Sequence, residues 1–178
     1  MRTARWVALA AVVLACATGR PVVERDASGT CGDSIRWKTL QLLLAGDLEG
    51  AGEYYLPATG ASQLPRWLVA FQGAFNVANR VAGSCQKVAD AIFEGFKRLE
   101  QSPALVTFTT ETRTKAGAVI GFDLGDGKVV QVASNGWHVA VRCGDRIYDA
   151  YTGPSGMLVA DYLARLIPGM QSYPIVMK

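Results

Sequence analysis

The 178-residue sequence predicts an α+β domain in which helices come first and an antiparallel meander sheet follows. Apolar residues recur at helical spacing between about residues 33 and 101. The texture then changes to short runs rich in Val, Ile, Thr and aromatics, broken by Gly-Asp-Gly, Asn-Gly and Gly-Asp. Size is the third observation: 178 residues, half of them hydrophobic, fit one core better than two small ones.

In chain order, Arg2 and Arg5 precede an unbroken apolar run from Trp6 to Ala15. A bilayer-spanning helix needs about 20 residues, so this run has the length of a secretory h-region, and residues 1–15 read as an export signal. Residues 16–32 mix Gly, Pro, Ser and Thr with few large apolar groups, as a tether does. The folded body is then 33–178. Asp33 caps a first helix through "SIRWKTLQLLLAG", and a glycine-rich loop is expected from about Gly46 to Gln63. Pro65 opens a second helix, "PRWLVAFQGAFNVANRVA", apolar nearly all round and expected to be the buried central element. A third helix, "CQKVADAIFEGFKRLEQ", carries Val88, Ile92, Phe96 and Leu99 in one stripe with Cys85 in its first turn. Five strand-like runs follow: "ALVTFTTET", "AGAVIGFD", "KVVQVAS", "WHVAVRC" and "RIYDAY". A helix over about Ser155 to Leu166 and a strand in "SYPIVM" finish the chain.

The formal charge of +3 is spread along the chain, so no basic stripe suits a nucleic acid. A single histidine and scattered acids give no metal-ligand spacing, and "YTGPSG" lacks the spacing of a phosphate loop. No metal or cofactor is therefore expected.

That lone histidine, His138, sits in "NGWHVAVRCGDRIYDAYTG". If Gly144-Asp145 is a two-residue hairpin turn, Cys143 opposes Arg146 and Ala140 opposes Asp149. Asp149 then becomes the diagonal, same-face neighbour of His138. A three-residue loop would instead send the two side chains to opposite faces. An imidazole oriented by a carboxylate lacks only a nucleophile, and Cys85 fits, because unpaired N–H groups at a helix start favour a thiolate. The candidate catalytic set is Cys85, His138 and Asp149.

Val13-Leu14-Ala15-Cys16 resembles the bacterial lipobox, which implies cleavage before Cys16 and acylation of that cysteine. Three cysteines remain, Cys31, Cys85 and Cys143. The economical pairing joins Cys31 to Cys143 and leaves Cys85 as a thiol, although all three can equally be reduced.

A cysteine opening a helix, then a histidine and an acid from the sheet, resembles the papain-like fold, and "GSC" at 83–85 echoes the papain-type motif with Gln86 in place of tryptophan. Over residues 64–178, "HVAV", "IYDA" and "TGPSG" resemble the papain-fold toxin domains of bacterial polymorphic toxins. The resemblance implies a Cys-His-Asp site and, from its offset of six residues before the cysteine, an oxyanion role for Asn79. A lipoprotein signal joined to such a domain further resembles the swarming-inhibition toxins exchanged between outer membranes. That implies a target-cell protein as substrate, a cognate immunity protein as partner, and membrane attachment through lipid. Two other readings stay open: a non-enzymatic envelope lipoprotein acting as a binding module, and a cell-wall peptidase.

Overall fold

The computed structural model describes residues 31–110, 118–169 and 175–178, with side chains described from residue 33 onward. Residues 1–30, where the expected export signal, Cys16 and most of the expected tether fall, lie outside the described residues. So does the Cys31 side chain, and with it the proposed Cys31–Cys143 pairing. Among the described residues no helix is long and apolar enough to cross a membrane.

Helix α1 spans Cys31–Leu44 and buries Leu40 and Leu43. The glycine-rich loop expected next is instead largely a helix, α2, Leu48–Thr59. Asp47 accepts a hydrogen bond from the Gly50 amide at 2.9 Å, and Gly60, in the left-handed region at φ 68°, returns its N–H to Leu56 O. Capping at both ends, with Ala51 and Gly52 buried, outweighs the low helix propensity of its glycines and Pro57.

The second expected helix is shorter than its apolar pattern suggested. Helix α3, Arg66–Ala74, is followed by a 3-10 turn over Val77–Asn79 capped by Asn76. Asn79 Nδ2 donates to Gly73 O at 2.7 Å and to Ala74 O at 3.5 Å, so a side-chain amide satisfies carbonyls that further helix would have used. Nor is α3 buried all round, since Val69 is 51% exposed. The central element is α4, Cys85–Arg98, which buries Val88, Ala89, Ile92, Gly95 and Phe96. A Cβ placed on Gly95 would lie 2.1 Å from the Phe71 ring, so glycine is what lets α3 and α4 approach so closely.

The second half folds into strands, with every strand pair antiparallel as expected. The arrangement is two sheets rather than a single meander. Strands β1 (Ala104–Thr110), β4 (Trp137–Cys143), β5 (Arg146–Tyr148), β6 (Met157–Leu158) and β8 (Ile175–Met177) form one sheet in the order β6-β5-β4-β1-β8. Strands β2 (Ile120–Asp123), β3 (Val129–Ala133) and β7 (Leu166–Pro168) form the other, in the order β3-β2-β7. The Asn135-Gly136 turn therefore carries the chain between sheets instead of closing a hairpin. The last helix, α5, is Val159–Arg165.

Two cores result. Leu43, Leu68, Phe71, Ile92 and Phe96 pack with Val139, Val141 and Tyr148 between the helices and one face of the larger sheet. Phe108, Ile120, Phe122, Ala140, Ile147 and Tyr162 fill the space on the opposite face of β4.

Candidate active site

Cys85 begins α4 after a turn in which Gly83 has φ +92° and the Ser84 hydroxyl donates to the carbonyls of Val81, at 2.8 Å, and Asn79. Its thiol is free and partly exposed. The backbone N–H groups of Gln86 and Val139 lie near enough to the sulfur to favour its charged form. The first is a first-turn helix donor.

The second follows from strand parity. Cys143 pairs with Arg146 across Gly144-Asp145, so the two-residue turn of the sequence reading is present. The pair flanking such a turn is hydrogen-bonded, so the N–H groups of residues 143, 141 and 139 point toward β5. But β5 ends at Tyr148, opposite Val141. Val139 thus keeps a donor on a side with no strand, where it helps to lower the Cys85 thiol.

The same early end of β5 turns Asp149 inward. Its Oδ1 accepts from the amides of Tyr151 at 2.8 Å and Thr152 at 3.0 Å, while the Thr152 hydroxyl accepts from the Asp149 amide at 3.0 Å. Its Oδ2 lies 3.2 Å from His138 Nε2. His138 and Asp149 are 1% and 2% exposed. A third group, which the sequence reading missed, completes the cluster. Tyr162 on α5, fully buried, donates its hydroxyl to Asp149 Oδ2 at 2.5 Å and lies 2.9 Å from His138 Nε2. Because Tyr162 spends its proton on the carboxylate, its oxygen is left to accept. Nε2 must then carry the hydrogen, shared between Tyr162 Oη and Asp149 Oδ2. Phe108 stacks on the imidazole at a centroid distance of 6.0 Å and packs against Tyr162 at 5.2 Å, holding both rings.

With Nε2 occupied, Nδ1 remains, and among the described residues it has no hydrogen-bond partner at standard geometry. It is the ring nitrogen left for Cys85, which lies near enough to His138 for each group to favour the charged form of the other. Burial pushes the thiol up, but the hydrogen bond and charge of His138, with the amides of Val139 and Gln86, more than reverse this and leave it below its ordinary value. Burial pulls the imidazole down, and hydrogen bonds to Asp149 and Cys85 with their charges override that, raising it to about 9. Both changes move the proton from sulfur to ring. The pair is biased toward thiolate and imidazolium.

The pocket around the sulfur is lined by Asn79, Ser84, Val88, Val132, Ala150 and Tyr151, besides the three core residues. Asn79 is present, but its amide nitrogen is turned to the end of α3. Those donors hold carbonyls here, so the expected oxyanion role would require the amide to turn away from α3. Arg80 Nε donates to Ala150 O at 2.9 Å and ties the segment before Cys85 to the Asp149 turn. Burial and the Asp149 charge push the Tyr151 hydroxyl up to about 12. Cys143 lies at the other end of β4, about 17 Å along the strand from His138, and is buried against the helices. A groove of about 200 Å³ between α3 and α4 shares Asn79 and Val88 with the thiol pocket.

Among the described residues no group of His, Cys, Asp and Glu is arranged to hold a metal ion. Compared with known proteins, the chain matches no family model, no curated protein and no solved structure. What can be said of its chemistry therefore comes from the geometry above: a thiol, a base facing it through one nitrogen, and a carboxylate and phenol holding the other.

Proposed function

We propose that this chain is a thiol acyl-transfer enzyme that attacks an amide of a target-cell protein. The supporting observation is the buried cluster of Asp149, Tyr162 and His138, which occupies Nε2 and leaves Nδ1 unpaired among the described residues, with His138 lining the same pocket as Cys85. The Cys85 thiolate attacks the amide carbon, forming the S–C bond while the carbonyl electrons move onto oxygen. The first-turn N–H of Cys85 is placed by helix geometry to donate to that oxygen. The imidazolium of His138 then gives its Nδ1 proton to the leaving nitrogen, and the C–N bond breaks to leave a thioester on Cys85. Neutral His138 next takes a proton from water or an amine that attacks the thioester, and the thiolate leaves. Peptide cleavage, side-chain deamidation and transfer to an amine share these steps. They differ in which nitrogen leaves and what resolves the thioester.

The finer reading is a papain-like enzyme delivered as a lipid-anchored polymorphic toxin. The order helix cysteine, strand histidine, then acid after the next strand favours the papain-like arrangement, and the lipobox-like end of the signal favours export and anchoring at Cys16. An intercellular toxin needs an immunity partner in the producing cell, and the reading includes one. Two measurements test it. Iodoacetamide should alkylate Cys85 at least tenfold faster than Cys143 near neutral pH, and equal, slow labelling removes the enzymatic reading. Production of residues 17–178 inside a bacterium should arrest growth, with Cys85→Ala relieving the arrest at equal protein level. Arrest that persists in Cys85→Ala indicates a non-catalytic toxin.

A further inference from the structure

Three buried polar side-chain atoms among the described residues make no hydrogen bond: Thr110 Oγ1, His138 Nδ1 and Tyr151 Oη. Residues bearing two of the three line one pocket, the one around Cys85. A buried donor without a partner is costly and calls for an explanation. For His138 Nδ1 the explanation is the thiol proton. Tyr151 Oη is left.

Other donors near the sulfur are already committed. The amides of Gln86 and Val139 serve the charged sulfur, and the amide nitrogen of Asn79 bonds Gly73 and Ala74. Among the described residues around the sulfur, that leaves the Cys85 N–H for a developing oxyanion, whereas such sites generally converge two or more donors. We propose that Tyr151 is a catalytic residue whose hydroxyl is the side-chain donor of the oxyanion hole. It rests on the acyl-transfer reading and adds a residue to it.

Three observations favour the role. Tyr151 directly follows the Asp149-Ala150 turn, and its amide is held by Asp149 Oδ1, so the carboxylate that orients the base also fixes the phenol. Its ring packs on Phe122 with centroids 5.5 Å apart, which restrains the direction of the O–H. Tyr151 and Cys85 line the same pocket, and the hydroxyl, raised by burial and the Asp149 charge, keeps its proton as a donor must. When the carbonyl oxygen gains charge in the tetrahedral species, the orphan hydroxyl acquires a partner that the ground state lacks. Such differential binding lowers the barrier.

The test compares two reactions of the same thiolate in the full chain, both followed at Cys85 by peptide mass spectrometry. Acylation by p-nitrophenyl acetate forms the S–C bond through an oxyanion and expels nitrophenolate. Alkylation by iodoacetamide forms S–C at a saturated carbon and expels iodide with no oxyanion. Tyr151→Phe should lower the ratio of acylation to alkylation by about 100-fold, while its urea midpoint stays level or rises, because the buried orphan is gone. An unchanged ratio overturns the proposal, as does a fall in both rates together with the urea midpoint, which marks a packing role. A ratio that drops instead in Asn79→Ala assigns the donor to Asn79. If alkylation fails to distinguish Cys85 from Cys143 in the unaltered chain, it is the acyl-transfer reading that falls.

Discussion

Asp149→Asn is the substitution that most directly probes the site. Asparagine keeps an oxygen for the amides of Tyr151 and Thr152, so the turn after β5 survives. What changes is the atom facing His138 and Tyr162: an N–H donor replaces Oδ2. Two donors cannot face each other, so Nε2 must give up its hydrogen and accept, and in the neutral ring the proton moves to Nδ1. The ring then points a donor at Cys85 and has lost the lone pair that takes the thiol proton. The magnitude follows from the imidazole, which holds its proton up to about 9 against an ordinary 6.5. That difference is worth about 3 kcal/mol. With burial opposing the charged ring and the Asp149 bond the first contribution overriding it, removal of the carboxylate should return the imidazole to neutrality at pH 7. The assay is the rate of Cys85 alkylation by iodoacetamide between pH 4 and 10. Its midpoint should climb by at least about one pH unit, costing roughly tenfold in rate on the acid side. An Asp149→Asn protein with an unaltered profile would refute the reasoning, since the carboxylate would then set neither the tautomer nor the charge of the ring.

Acylation of the unaltered chain should follow a bell in pH: the acid limb falls below the ordinary thiol range as Cys85 protonates, and the alkaline limb falls near 9 as the imidazolium is lost, both read from initial rates. Tyr162→Phe should cost about 1.5–3 kcal/mol in urea unfolding, because it removes a buried hydrogen bond to a charged oxygen, and should slow Cys85 alkylation at pH 7; unfolding identical to the parent would contradict the bond. Gly95→Ala should lose about 1–3 kcal/mol in the same assay, since its Cβ would overlap the Phe71 ring, whereas Gly73→Ala, with nothing within 4 Å, should not. Equal stability of the two variants would count against close α3–α4 packing.

Much of this site was legible because strand arithmetic is discrete. A two-residue turn at Gly144-Asp145 leaves no freedom in which residues oppose one another, and Cys143 opposes Arg146 as counted, although β5 ends before Asp149 and a turn rather than the counted pairing brings it to His138. The first-turn position of Cys85 was equally readable from the stripe Val88, Ile92, Phe96 and Leu99 and the Pro103 stop. Tyr162 was not, because one tyrosine in "VADYLAR" carries no mark of the partners that a distant turn brings to it. Helix α2 was hidden by its glycines, whose cost is offset by caps and by packing that composition does not reveal. The split into two sheets was hidden because Asn-Gly has the same turn chemistry whether the flanking strands pair or diverge.

A strand that stops early accounts for more of the site than any one residue does. If β5 continued past Tyr148, its next residues would pair with Ala140 and Val139, take up the Val139 N–H, and commit the Asp149 backbone to the ladder. Because it stops, Val139 has an N–H to give the sulfur and Asp149 is free to fold into the turn that sends one oxygen to the backbone and the other to His138 and Tyr162. The thiolate is thus stabilised twice by backbone, once from the end of a helix and once from the exposed side of a strand. Both donors are fixed in the backbone, so they favour the thiolate without any rearrangement. Lengthening the pairing, by inserting residues between Tyr148 and Asp149 that extend β5 opposite Val139, should therefore silence Cys85 while leaving every named side chain in the protein. If a variant of that kind still alkylated as fast as the parent, the reactivity of Cys85 would have to come from the helix end and the imidazole alone.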